Sequence, residues 1–182
     1  MKRILILVCM LAAATPLLRA QEIPTETRAG ELQIGGGYSS ANPDYSPHKF
    51  YGPYLYSSFD FRDHIGVEFN FHYVKESNDG PPSDINQGMY ERTYEIGPRY
   101  VLHIKKFDPF VKVMIGRGVF NYPDNTANLA YNMYAAAIGC DLRTTRYLNV
   151  RLFDYEYQKW SSFPPNGLQP NVLSFGVAYR FH

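Results

Sequence analysis

Glu68 and His72 stand four residues apart in a strictly alternating stretch, where Ile65, Val67, Phe69, Phe71 and Tyr73 oppose Gly66, Glu68, Asn70 and His72. Successive side chains of a strand face opposite sides, so the carboxylate and the imidazole share the polar face. Such a pair suits a proton relay or a metal site. It equally suits a structural ion network, and networks perturb ionisable groups much as active sites do; the pair is read as two members of a network. The same parity places Glu95, Arg99, Lys112, Asp141, Arg151, Asp154, Glu156 and Arg180 on the polar faces of other alternating stretches. Arg99, Arg151 and Arg180 against Glu68, Glu95, Asp154 and Glu156 are able to gate a narrow pore or to hold an interior shut. Because unpaired buried charges are costly, the expectation is a shut interior with every charge partnered. The pairing itself depends on strand stagger, which a sequence does not express.

Other chemistry is sparse. The histidines are His48, His64, His72, His103 and His182, and none has a serine two residues away, although His48 follows Ser46-Pro47. No catalytic residue, metal ligand or cofactor is therefore assigned, and no enzyme is expected. Gly35-Gly36-Gly37 and Gly116-Arg117-Gly118 do not open a helix as a phosphate loop would, and are read as space or curvature within strands. The 78–84 segment holds Asn78, Asp79 and Asp84 but lacks the length and spacing of a calcium loop. Segment 160–168, with Trp160, Phe163 and Pro164, is apolar for a loop. It either folds over a barrel mouth or offers an adhesive patch.

These residues need strands to position them, and eight alternating segments are found, at about 30–40, 50–60, 65–74, 90–103, 109–120, 131–142, 148–157 and 173–181. The seventh changes parity: Leu148, Val150 and Leu152 share a face, as do Tyr155 and Tyr157. One extra residue near Phe153, a β-bulge, reconciles them and keeps Arg151, Asp154 and Glu156 together. Pro98 cannot donate to a ladder, which predicts a bulge or bend at Gly97-Pro98. Short turns at 61–64, 104–108 and 143–147 alternate with longer connections at 41–49, 75–89, 121–130 and 158–169.

The N-terminus supplies the compartment. Lys2 and Arg3 precede an apolar run over 4–14, and Leu18-Arg19-Ala20 precedes Gln21, the pattern of a cleaved secretory signal peptide over 1–20. Its removal takes Lys2, Arg3 and Arg19 and leaves 15 basic against 17 acidic residues, a balance of −2. That is no footprint for nucleic acid. Cys140 is then the one cysteine, so no internal disulfide forms. A chain without a spanning helix crosses a membrane only as a closed barrel. The small and charged polar face suits the inside of an eight-stranded barrel, which is just wide enough for its own side chains. Tyr38, Tyr73, Phe107, Phe110, Phe120, Tyr131, Tyr147 and Tyr157 near strand ends are read as interfacial girdles, and Cys140 as lipid-facing.

The closing stretch places Leu173, Phe175, Val177, Tyr179 and Phe181 on one face. With Val177-Ala178-Tyr179-Arg180-Phe181, the signal peptide, the strand pattern and the loop asymmetry, the chain resembles the outer-membrane β-barrel domain family that includes OmpA and OmpX, over roughly 28–182. The resemblance implies an all-β, eight-stranded, antiparallel up-and-down transmembrane barrel over 21–182. It implies a Gram-negative-type outer membrane, lipids and lipopolysaccharide around the barrel, and an assembly machinery that reads the closing strand. A monomer is expected. The barrel pattern runs to the end, so the peptidoglycan-gripping domain of OmpA-type proteins is not carried over. The expected role is structural or interactive at the cell surface, with a narrow channel as the alternative and a lipid A-modifying enzyme a distant third.

Overall fold

The computed structural model describes residues 30–44, 48–76, 89–122, 127–161, 163–164 and 167–181. The expected signal peptide, Cys9, the 78–84 segment and His182 lie outside the described residues. Eight strands follow one another: β1 (Glu31–Asn42), β2 (Phe50–Asp60), β3 (Ile65–Glu76), β4 (Tyr90–Val101), β5 (Phe107–Asn121), β6 (Asn128–Arg143), β7 (Leu148–Trp160) and β8 (Asn171–Phe181). Each pairs antiparallel with its neighbours, and β1 pairs with β8 from Leu32 opposite Phe181 to Asn42 opposite Asn171, so the sheet closes on itself. Closure leaves no unpaired edge, the condition a strand must meet in lipid. Among the described residues no helix is long and apolar enough to cross a membrane.

The molecule is inside-out relative to a soluble barrel. Ile34, Leu55, Phe69, Ile96, Val113, Ile138 and Phe175 are exposed on the outer wall, while Glu68, Asn70, Arg99, Lys112 and Arg151 are buried within. Outward aromatics pair across strands towards the rims, as in the stacked Tyr38–Tyr51 and Tyr147–Tyr179 rings at 6.5 and 6.0 Å. Three girdle assignments are corrected. Phe110, Phe120 and Tyr131 are only 2, 2 and 8 % exposed and point inward. Their parity with Lys112, Gly118 and Met133 decides their face, and nearness to a strand end does not.

The bulge in β7 is present. Cys140 pairs with Phe153 and Asp141 with Arg151, so Leu152 is the extra residue opposite β6, and the β8 register shifts between Arg151 and Asp154. Leu152 and Phe153 both face outward. No bulge accompanies Pro98. Ile96 pairs with Ile115 and Arg99 with Lys112 at constant register, while Val67 pairs with Pro98 on the other side. The missing N–H costs the β4–β5 ladder its pairing at Gly97 and Pro98 without displacing either strand. Two glycines make room for interior rings. A Cβ on Gly35 would lie 2.5 Å from the Tyr56 ring, and one on Gly118 would lie 2.3 Å from Trp160.

Candidate functional site

The barrel interior is stacked in layers. At the short-turn end, Arg180 donates from Nε and Nη2 to the two oxygens of Glu31, each at 2.5 Å. This pair borders a cavity of about 290 Å³ lined in part by Asp60, Arg62, Asp63 and His103. His103 bonds Asp108 at 2.8 Å, Arg143 lies 3.0 Å from the same carboxylate, and His64 bonds the Val101 carbonyl at 2.9 Å. These two histidines tie the turns together.

Above lies a plug of three cations and three carboxylates. Arg151 is its hub. Its Nε donates to Asp141 (2.9 Å), its Nη1 to Glu68 (2.9 Å), Asp154 (3.0 Å) and the Tyr54 hydroxyl (2.7 Å), and its Nη2 to Glu68 (2.8 Å). Arg99 bridges Glu68 (3.0 Å) and Asp141 (2.8 Å), and Lys112 bridges Glu68 (2.8 Å) and Asp154 (2.6 Å). The Arg151 guanidinium lies 3.7 Å from the Tyr56 ring centre and 4.6 Å from that of Phe110. Such cation–π contacts strengthen as water is excluded. The Asn70 amide turns its oxygen to Lys112 Nζ (2.6 Å) and its nitrogen to Glu68 Oε1 (3.0 Å), since the reverse would aim an NH₂ at an ammonium.

A second polar layer follows. His72 accepts or donates at Nδ1 with Ser39 Oγ (3.0 Å), Ser39 bonds Ser174 Oγ (2.6 Å), and the imidazole stacks on Tyr54 with ring centres 4.6 Å apart. Gln158 Nε2 donates to Glu156 Oε1 (2.7 Å) and Glu95 Oε1 (3.2 Å). The Trp160 indole donates to Gln158 Oε1 (3.0 Å). The long-loop end is capped by apolar packing. Trp160 and Leu168 are fully buried and joined by backbone hydrogen bonds, and Phe163 packs on Phe120, Tyr122 and Tyr131. Trp160, Phe163 and Leu168 thus fold back over the mouth.

The structure therefore separates the ten charged residues singled out from sequence. Glu68, Arg99, Lys112, Asp141, Arg151 and Asp154 form the plug. Glu156 touches it only through Lys112 at 3.8 Å, Glu95 and His72 belong to the upper layer, and Arg180 sits at the rim. Glu68 and His72 are not partners. Ser39, Ser174, Tyr54, Tyr56 and Gln158 were missed, although inward parity marks each. Ser39 and Ser174 face each other directly across the β1–β8 closure. The Ser39–His72 contact is shut inside the barrel, with exposures of 0 and 2 %, away from any acyl chain in the surrounding lipid. Cys140 faces outward beside the bulge, its thiol directed at the Asp141 carbonyl.

A closed antiparallel barrel, apolar outside and filled with paired charges inside, defines a membrane-spanning barrel. The chain belongs to the outer membrane protein beta-barrel domain family, which its sequence matches over residues 5–181, and it resides in the outer membrane. Comparison with curated proteins gives no match. Among solved structures the fold is similar to Neisserial surface protein A (11 % identity, TM-score 0.66, covering 84 % of this chain and 97 % of that one). It is also similar to OprG from Pseudomonas aeruginosa (16 %, 0.61, 85 and 97 %) and to Ail, the attachment invasion locus protein of Yersinia pestis (17 %, 0.53, 84 and 99 %).

Proposed function

We propose that the protein works as a closed barrel, a structural element of the outer membrane whose long-loop end serves interaction at the cell surface. The observation that carries this reading is the plug: the Arg99, Lys112, Arg151, Glu68, Asp141 and Asp154 side chains are at most 2 % exposed and each is ion-paired within the group. Ion pairs this dry, below a mouth roofed by Trp160 and Phe163, leave no continuous water column. The attachment named for Ail supports a surface role. Lipids and lipopolysaccharide contact the outer wall, and the outward face of β8, Leu173 to Phe181, serves as the assembly signal. In planar bilayers the purified barrel gives no stable conductance steps. Stable openings that disappear on changing Arg99 or Arg151 would instead establish the narrow channel. For the surface role, cells carrying the barrel adhere more, or resist detergent better, than cells carrying a version with shortened long loops; equal behaviour removes that role. Lipid A from cells with and without the protein has the same mass profile.

A further inference from the structure

We propose that His72, Glu95 and Glu156 form a binding site for one divalent transition-metal ion inside the barrel. Each of the three offers a ligand atom within 4.8 Å of the others, and among the described residues no other group of His, Cys, Asp and Glu side chains comes together in this way. All three are at most 2 % exposed. Two of the polar atoms are uncommitted: His72 Nε2 and Glu95 Oε2 are buried without a hydrogen-bond partner. A buried polar atom left in this state carries a desolvation cost, and a shared cation relieves both atoms at once.

The surroundings hold these groups as ligands. Ser39 engages His72 Nδ1, which directs Nε2 to the ion, and the Tyr54 ring fixes the imidazole plane. Gln158 ties Glu95 Oε1 to Glu156 Oε1 and is itself held by Trp160. Ligands of metal centres are oriented in this manner by partners one bond further out. Charge points the same way. The three plug cations are matched by Glu68, Asp141 and Asp154, so the Glu95 and Glu156 carboxyl groups remain beside the imidazole, with Lys112 3.8 Å from Glu156. One dication balances them. One imidazole and two carboxylates suit zinc, manganese or ferrous iron. Ligands at about 2.0–2.2 Å from one zinc ion stand roughly 3–4 Å apart, so small side-chain rotations bring the three donors onto one ion, and a water or a second carboxylate oxygen supplies the fourth position.

Because the site lies beneath the aromatic cap, the ion enters as the barrel closes. The full chain is unfolded with chelator, refolded into detergent with and without zinc, freed of loose metal, and assayed for bound zinc and melting temperature. Wild type retains one zinc per chain and melts higher with zinc than without. His72→Asn and Glu95→Gln lose the ion and the shift, whereas Glu91→Gln, which removes a buried carboxylate elsewhere on β4, keeps both. Zinc-edge X-ray absorption shows one nitrogen and otherwise oxygen ligands. No retained zinc in folded wild type, retention by both site variants, or sulfur in the ligand shell overturns the proposal. Absence of zinc with a folded barrel would mean that Glu95 and Glu156 share a proton instead. The site is independent of the closed-barrel reading, since a silent bilayer and a zinc-free protein are separate outcomes.

Discussion

Arg151 shows why interior charges differ in worth. It serves Asp141, Glu68 and Asp154 at once, and all four side chains are at most 2 % exposed. Removing one partner from a buried network strands the others without water to solvate them, which costs about 3–5 kcal/mol. Arg151→Met is therefore expected to lower unfolding free energy in detergent by that order. Arg180 makes a bidentate contact with Glu31, but both side chains reach solvent. Arg180→Gln should cost at most about 1 kcal/mol. Equal losses in chaotrope unfolding of the two variants would show that burial does not set the scale. The same residues mark the limit of what a sequence reveals. Period-two alternation assigns Arg151 and Glu68 to the interior, because face is a local property. Their partnership spans 83 positions and depends on the stagger of the four strand pairings between β3 and β7. The meeting of His72 with Ser39 on β1 depends on stagger in the same way, whereas its separation from Glu68 is fixed by four residues of rise along one strand. Phe110, Phe120 and Tyr131 were misplaced for a different reason: a trend about strand ends was weighed above their own parity.

At the scale of the strand, parity is a hard constraint that a bulge is able to absorb. Leu152 and Phe153 both face out between inward Arg151 and Asp154. Deleting Leu152 leaves Arg151 inside, Phe153 outside and Asp154 inside, so no other side chain changes face. Deleting Ile138 from the regular β6 turns everything beyond it over and would put Asp141 into lipid or break the β6 pairing. The expectation is that the Leu152 deletion yields a folded barrel by circular dichroism and resistance to protease, while the Ile138 deletion does not fold. The bulge was legible because charged residues flanked the parity change. Pro98 was not, because a proline imposes a missing hydrogen bond without imposing a displacement. The constant register from Ile96 to Arg99 shows that β3 on the other side is enough to hold the strand.

For the whole molecule, the layers act as barriers in series. The charged plug around Arg151 fills the middle, and Trp160, Phe163 and Leu168 roof the long-loop end. An eight-stranded wall encloses only enough space for its own side chains, so water crosses only where side chains are removed, and it must cross both layers. Barriers in series are limited by the tighter one. A charge-balanced opening of the plug, Arg151→Ala with Glu68→Ala, should stay silent in planar bilayers while the roof stands. Trp160→Ala with Phe163→Ala should stay silent while the plug stands. Only the four changes together should produce stable steps. The fold tolerates this test better than a single charge removal would, because the paired deletion leaves no lone buried arginine or glutamate at the hub. Conductance from either pair alone would assign closure to one layer. Silence of the fourfold variant, with the barrel still folded, would mean that the remaining Arg99–Asp141 and Lys112–Asp154 pairs close the interior by themselves.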